Sequence, residues 1–407
     1  MANSDTAWAK ALRERISASI LPGETPLAGQ SLDDATAFLL EAAAHRDDGK
    51  PAILIRSASD NASDNASDSR RITRIAVVNR DVPFLVDSIS RAIAARGLAV
   101  DLLVHPILPV VRGADRRLAA LDDANATGAI RESFIYIETD RIDARQRRAL
   151  ETELAETIAD VRAAVADWPQ MLSAIDADAA TLADPEGADL LRWLADGMMT
   201  QLGHITRRAD GSESAVLGIC RTSSRDVLAE ASWDLAFAWF APEHRRARPL
   251  IVKANRLSLV HRRVPLDLFI VPVIEHGAVA ALSVHAGIWT SAALGTAPEG
   301  VPMLRRQLQT ITQALAFVPG SHDHKSLIHA LSVLPHDLVI GFDDADTTRV
   351  ATAMMALIDR PRPRLALVAA PLKRHLFAFV WLPRDMLSTT VREQIRALLE
   401  QGTGTAT

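Results

Sequence analysis

Between residues 74 and 168 the chain switches repeatedly from strand-like to helix-like spacing, and this alternation limits its fold more than any other feature. Residues 75–78 (Ile75, Ala76, Val77, Val78) form a short unbroken apolar run, the pattern of a strand covered on both faces. Leu85, Val86, Ile89, Ala92 and Ile93 then recur at helical spacing within 84–96, and Gly97 supplies a stop. Residues 100–111 are extended but broken by Pro106 and Pro109, which confines them to an edge or a bend. A further strand is predicted at 133–139. The helical spacing returns over 145–168 through Leu150, Leu154, Ile158, Val161 and Val165, with Pro169 expected to end the helix. Strand, helix, strand, strand, helix predicts a small sheet with both helices on one face, an α+β sandwich of the ferredoxin-like type. A closing strand is lacking, and residues 52–55 could supply it from upstream.

The remainder divides around this unit. Residues 1–46 read as helical, with Ser31 and Asp34 as a cap and first-turn acid. Residues 57–69 repeat Ala-Ser-Asp-Asn and hold no large apolar side chain, so they are expected to be disordered. A calcium loop of Asp60, Asn61, Asp64 and Asn65 would lack the glycine and terminal glutamate such loops need. A second, mostly antiparallel unit begins near Glu186. It has helices at 188–195 and 233–240, and strands at 202–206, 215–220, 250–253, 258–261, 266–274 and 278–285. Asp210-Gly211 and Glu275-His276-Gly277 mark its hairpins. Two connecting helices follow at 301–317 and 325–334. A strand at 338–342, helix at 347–358, strands at 364–369 and 377–381, and helix at 388–400 repeat the order of the first unit without a closing strand. The expected domains are 1–70, 71–180, 181–300, 301–336 and 337–407.

With 45 basic and 50 acidic residues the net charge is -5, which argues against nucleic acid as a partner. No run of 18 apolar residues is present, so no membrane span is expected, and the start carries no secretory pattern. The lone Cys220 allows no internal disulfide, in keeping with a reducing compartment, and the cytoplasm is the expected location. Cys220 reads as a buried small residue on an apolar strand rather than a nucleophile. His322, Asp323 and His324, with His336, could ligate a metal, but Ser321 and Asp323 equally suit a turn and helix cap. The basic run His244, Arg245, Arg246 and Arg248, with Arg262 and Arg263, reads as a solvated face or an anion-binding surface. Trp168, Trp193, Trp233, Trp239, Trp289 and Trp381 are expected in cores. No Gly-x-Gly-x-x-Gly joins a strand to a helix, and no Walker, Gly-x-Ser-x-Gly or His-Glu-x-x-His pattern occurs.

One loop stands out. Asn79, Arg80, Asp81, Val82, Pro83 and Phe84 join the first strand to its helix. Asp81 could cap that helix and Pro83 suits a first turn. The exposed N–H groups there would equally favour an anion such as a carboxylate, so both a capped helix and a regulatory pocket for a small-molecule amino-acid effector remain open.

Nine segments in order carry a resemblance: 81–88, 104–108, 132–138, 167–169, 191–197, Lys253-Ala254-Asn255 with Val260-His261, 289–293, 319–323 and 380–384. From about Arg74 to Gln401 the chain resembles the amino-terminal region of the large-subunit class of NAD-specific glutamate dehydrogenases. The resemblance implies ACT-like domains, of the kind that bind amino acids at subunit interfaces, flanking a PAS-like antiparallel domain. It implies NAD only in the full-length enzyme, with no catalytic residue, metal or cofactor in this chain. It further implies a regulatory and assembly role, through self-association or contact with the catalytic remainder, and a chain that is a fragment or truncated product. A stand-alone amino-acid sensor of the ACT type is the alternative. The chain departs from ACT ligand loops in having Phe84 where a glycine usually follows the proline, so that a side chain fills the pocket. Met198, Met199 and Gln201 replace a more aromatic run after Gly197.

Overall fold

The computed structural model describes residues 2–20, 27–60, 70–358 and 360–404. In chain order its elements are α1 (Ala2–Ser19), α2 (Gly29–Ala43), β1 (Ala52–Asp60), β2 (Arg70–Arg80), α3 (Leu85–Ala94), β3 (Val100–Val104), β4 (Ile107–Arg112), β5 (Leu118–Leu121), β6 (Ile130–Asp140) and α4 (Ala144–Thr181). Then come α5 (Pro185–Trp193), β7 (Met199–Arg208), β8 (Glu213–Gly218), α6 (Glu230–Trp239), β9 (Leu250–Leu257), β10 (Pro265–Glu275), β11 (Ala278–Trp289) and α7 (Ser291–Gly295). The chain continues through α8 (Leu304–Ala314), α9 (His322–Val333), α10 (His336–Val339), α11 (Asp344–Ile358), β12 (Arg364–Ala369), β13 (Leu376–Trp381) and α12 (Thr389–Thr403). Two compact units result. One holds residues 1–169 with 216–225 and 256–265; the other holds 170–215, 226–255 and 266–407.

The sheet of the first unit runs β1-β2-β6-β4-β5, with β3 also on β6. The upstream strand β1 does pair antiparallel with β2, from Ala52 opposite Val78 to Asp60 opposite Arg70. This strand extends through residues 57–60, where disorder was expected; the rest of that expectation, 61–69, lies outside the described residues. Pro106 splits the predicted long strand into β3 and β4, both antiparallel to β6, whereas Pro109 lies inside β4 opposite Arg131. Strand side chains alternate between faces. Ala76, Val78, Phe134 and Tyr136 belong to one core with Leu12 and Ile16 of α1 and Leu32, Phe38 and Leu39 of α2. Ile75, Val77, Ile135 and Ile137, equally buried, point to the other face. The sheet is therefore covered on both sides, which explains the unbroken apolar run in β2. Ser31 lies inside α2, whose N-cap is Ala28, so Ser31 is not the cap.

Helix α4 passes straight through Pro169 instead of ending there. Its apolar stripe continues as Met171, Ile175 and Ala179, all fully buried, and this packing outweighs the one helical hydrogen bond a proline removes. Trp168 is 51% exposed and no core residue, whereas Trp233 and Trp289 are buried as expected.

The second sheet runs β8-β7-β11-β10-β9, with β11 antiparallel to both β7 and β10. Both predicted hairpins form, with Gly211 and Gly277 at positive φ. Two expected strands do not. Residues 258–261 form a turn in which Ser258 Oγ donates to Val260 O and accepts from Val260 N, the local competition that serine offers a strand. Residues 338–342 are helical and turn rather than strand, because Pro335 opens α10 and Val339 and Ile340 bury in a helical cluster. A short apolar run does not by itself separate strand from buried helix. The last part is thus helix, helix, strand, strand, helix, and it does not repeat the first unit. Cys220 is buried on a short 3-10 turn (Ile219–Arg221), not on a strand.

Candidate functional site

The loop from Asn79 to Phe84 leaves β2 and enters α3, and the structure brings its polar groups onto its own chain. Asn79 is fully buried and donates from Nδ2 to Arg80 O at 2.7 Å, leaving its Oδ1 without a partner. Arg80 lies opposite Glu132 on β6. The Asp81 backbone N–H donates to Arg131 O at 2.9 Å. The Asp81 carboxylate accepts from Ser133 Oγ at 2.9 Å and lies 3.4 Å from Arg131. It does not cap α3. The cap position is Phe84, in the left-handed region at φ 69, so the helix starts later than the sequence implied, Pro83 precedes it, and no side chain caps its N–H groups. Val82 is half-buried and Pro83 exposed.

Phe84 takes the backbone shape a glycine would, yet its side chain is used. Its ring lies 5.4 Å from the His261 ring, and its carbonyl accepts from Ser88 Oγ at 2.6 Å. The same Ser88 oxygen accepts from the His261 N–H at 2.9 Å, and His261 Nδ1 lies 3.1 Å from Asp87. Residues 256–265 thus close the loop within the same unit. Nearby, burial lowers the His105 pKa, with Asp81 pulling against that shift. A left-handed conformation costs a non-glycine residue about 1–2 kcal/mol. Phe84→Gly is therefore expected to unfold at higher urea concentration than Phe84→Ala, by about 1 kcal/mol, although both lose the ring. Chemical denaturation of the two variants checks this; an alanine variant as stable as the glycine one would show that the site carries no such strain.

Behind the loop lies an ion cluster that sequence reading missed. Glu132 is fully buried on β6 and accepts from Arg46 Nε and Nη2 at 3.0 and 2.7 Å, and from Arg112 Nε and Nη2 at 2.8 and 2.6 Å. Burial alone would raise the Glu132 pKa. The hydrogen bonds and charge of Arg112, then Arg46, outweigh it and hold the carboxyl below its ordinary range. Segments 132–138 and 81–88 therefore meet: Glu132 anchors two arginines, and its neighbour Ser133 orients Asp81.

The 167–169 segment also has a role. Asp167 on α4 accepts from the Gly218 N–H at 2.8 Å and from Arg221 Nη1 at 2.9 Å, while Asp160 accepts from Thr222 Oγ1 and Ser223 Oγ, both at 2.5 Å. Burial raises the Asp160 pKa against those two hydroxyl bonds.

The second unit holds two further buried polar groups. Lys253 on β9 bridges Asp267 and Asp337 at 2.6 and 2.5 Å. Burial would lower its pKa, but the two carboxylates raise it overall, so the ammonium stays charged. His204 on β7 and His285 on β11 face each other across the sheet with Nδ1 atoms 3.2 Å apart. His285 Nε2 reaches Asp178 at 2.6 Å, and Ser283 Oγ donates to the same carboxylate oxygen. Bonding to Asp178 places the His285 proton on Nε2, so its Nδ1 accepts from His204 Nδ1–H, and His204 Nε2 is left to accept from Thr206 Oγ1 at 3.4 Å. Burial first, and His285 beside it, lower the His204 pKa to about 3.

The basic run is largely committed to structure. Arg245 lies over the Trp239 ring at 4.1 Å, and Arg246 donates to the carbonyls of Phe240, Ala241 and Gly277. Arg263, in the other unit, pairs with Glu153. Ser321 caps α9 by accepting from the His324 N–H, and among the described residues no His, Cys, Asp or Glu group is placed to hold a metal.

A family model described as "Glutamate dehydrogenase, ACT1 domain" matches residues 26–154, and one described as "Glutamate dehydrogenase, helical motif 1" matches residues 301–360. The NAD-specific glutamate dehydrogenase of Halomonas elongata is 27% identical over 354 residues, covering 80% of this chain and 22% of the relative. That of Pseudomonas aeruginosa is 28% identical over 352 residues, covering 80% and 22%. That of Mycobacterium tuberculosis is 23% identical over 376 residues, covering 87% and 22%. The chain thus spans about a fifth of the length of these curated relatives. The resemblance read from the nine segments is shown: over most of its length this chain is similar to an amino-terminal region of NAD-specific glutamate dehydrogenases.

Proposed function

We propose that this chain is the amino-terminal regulatory and oligomerisation segment of an NAD-dependent glutamate dehydrogenase working in the cytoplasm. The whole enzyme would convert L-glutamate, NAD and water to 2-oxoglutarate, ammonia and NADH, with NAD and the catalytic groups held outside these residues. The observation that carries this reading is the collinear match: an ACT1 domain, a helical motif, and relatives aligned along 80% or more of the chain. The strand order of the first sheet supports an ACT-type sandwich, with β1 as the fourth strand beside β2. The second sheet's order, second-first-fifth-fourth-third, with α6 between its second and third strands, supports the PAS-like reading.

A partner surface is part of this proposal. Leu365 and Leu367 on β12 and Leu376 and Val380 on β13 stand 38–52% exposed, while the alternate residues Ala366 and Val368 are buried. A two-stranded sheet that is apolar on both faces and covered on one is suited to association with the catalytic remainder or a second copy. No membrane or nucleic-acid partner enters the proposal; among the described residues no helix is long and apolar enough to cross a membrane. The sensor alternative is weakened by the Asn79 to Phe84 loop, whose carboxylate and aromatic ring are engaged by Ser133 and His261.

Deleting the matching region from the Pseudomonas aeruginosa relative tests the role. The expected result is an altered assembly mass in light scattering together with changed response to substrate concentration. A deletion enzyme of unchanged mass per subunit count and unchanged kinetics would contradict it.

A further inference from the structure

We propose that the first unit binds a phosphate dianion, free or as a phosphomonoester, between Arg80 at the end of β2 and Arg162 on α4. The site borders the ion cluster around Glu132. Arg80 lies directly opposite Glu132 in the β2–β6 register, but that carboxylate is already taken by Arg46 and Arg112. Among the described residues, no acceptor engages the guanidinium of Arg80 or of Arg162. The Asn79 to Phe84 loop spends its carboxylate on Ser133 and its ring on His261, yet leaves Arg80 exposed.

Arg162 is the more telling of the two. It is half-buried, and its Nη1 is closed off from solvent without a partner. Its surroundings add to the cost. Burial first, then the charges of Arg46 and Arg80, lower its pKa, while Asp48, itself bridged to Arg116, pulls the other way. A guanidinium keeps its proton at ordinary pH, so the fold holds like charges close together without a counter-ion of their own. Nε and Nη2 are left to meet a ligand, and Nη2 lies beside the Asp47–Lys50 turn, 3.8 Å from where a Cβ on Gly49 would stand. Two unpaired guanidinium forks, one exposed and one half-buried, match a single anion with two charges and several acceptor oxygens. A lone carboxylate would neutralise only one of them.

Calorimetric titration of the 407-residue chain with inorganic phosphate, glycerol 3-phosphate and acetate tests this. Phosphate or its ester is expected to bind at one saturable site, with acetate about tenfold weaker or worse. A tighter ester assigns the site to phosphomonoesters, and a tighter inorganic ion assigns it to free phosphate. Arg80→Ala and Arg162→Met are each expected to weaken that binding about tenfold. Arg80→Ala also removes a charge that repels Arg162. In phosphate-free buffer it is therefore expected to melt no lower than the unsubstituted chain, whereas added phosphate raises the melting temperature of the unsubstituted chain alone. Saturable heat from neither phosphate compound, acetate as the tighter ligand, affinity untouched by both substitutions, or Arg80→Ala melting lower in phosphate-free buffer would each overturn the proposal. None of these readouts needs dehydrogenase activity, so this site stands or fails separately from the regulatory role.

Discussion

Glu132→Gln is expected to remove about 3–5 kcal/mol from the unfolding free energy of the unit that contains it. The size follows from what the substitution leaves behind. Arg46 and Arg112 have side chains only 2% and 6% exposed, and their guanidinium groups converge on one fully buried carboxylate. Without its charge, two cations remain out of water beside each other. The penalty is mostly that of unpaired buried charge, not the worth of the ion pairs themselves. Replacing all three residues with apolar ones is accordingly expected to recover part of the loss. Recovery is limited because Arg112 Nη1 also donates to Ala43 O and Arg46 Nη1 to Lys50 O. Urea unfolding followed by circular dichroism measures the effect; a loss under about 1 kcal/mol would mean the cluster is wetter than its burial implies. Because the folded-state pKa of Glu132 is depressed, its contribution is present above the ordinary carboxylate range and lost as pH falls through the depressed value.

Acidification is expected to act on the second unit through His204, over a different pH range. Its pKa falls from 6.5 in the unfolded chain to about 3 in the fold. The unfolded state therefore binds a proton first. Stability is complete above pH 6.5 and declines by about 1.4 kcal/mol for each pH unit below it, levelling off near pH 3. The full loss is on the order of 4–5 kcal/mol. Asp178 softens the effect, since an imidazolium at His204 would be drawn to it, and Ser283 and Thr206 are the other polar groups facing the pair. His204→Gln keeps a polar side chain on β7 without a titrating ring, and it is expected to flatten the stability profile between pH 6.5 and 4. An unchanged slope in that variant would assign the acid sensitivity to other groups.

Much of the first unit could be read from local spacing. The β2–α3–β3 order and the helical stripe of α4 depend on residues a few positions apart, and even the role of β1 was in reach because its apolar run needed a partner. Coverage of the second sheet face by α1 and α2 was harder to see. Residues 75–78 announced a strand buried on both sides, but nothing local tied them to Leu12 or Phe38. Pro169 and the 338–342 run misled for a common reason: tertiary packing overrode a local signal, through Met171 and Ile175 in one case and Val339 and Ile340 in the other. The polar sites were the least legible. Arg46 and Glu132 are 86 residues apart, and His204 and His285 are 81 apart. They meet only through sheet register, which is a property of the fold. Lys253 and Glu132 were quoted in family-like segments, yet that gave no hint of what each would touch.

The role proposed for these residues is to regulate and assemble, with hydride transfer left to residues outside them. Purified chain incubated with saturating L-glutamate and NAD, with absorbance followed at the NADH band, tests it most directly. A trace indistinguishable from the protein-free blank at every protein concentration is the predicted result. NADH appearing in proportion to added chain, and stopping when glutamate is withheld, would contradict the account.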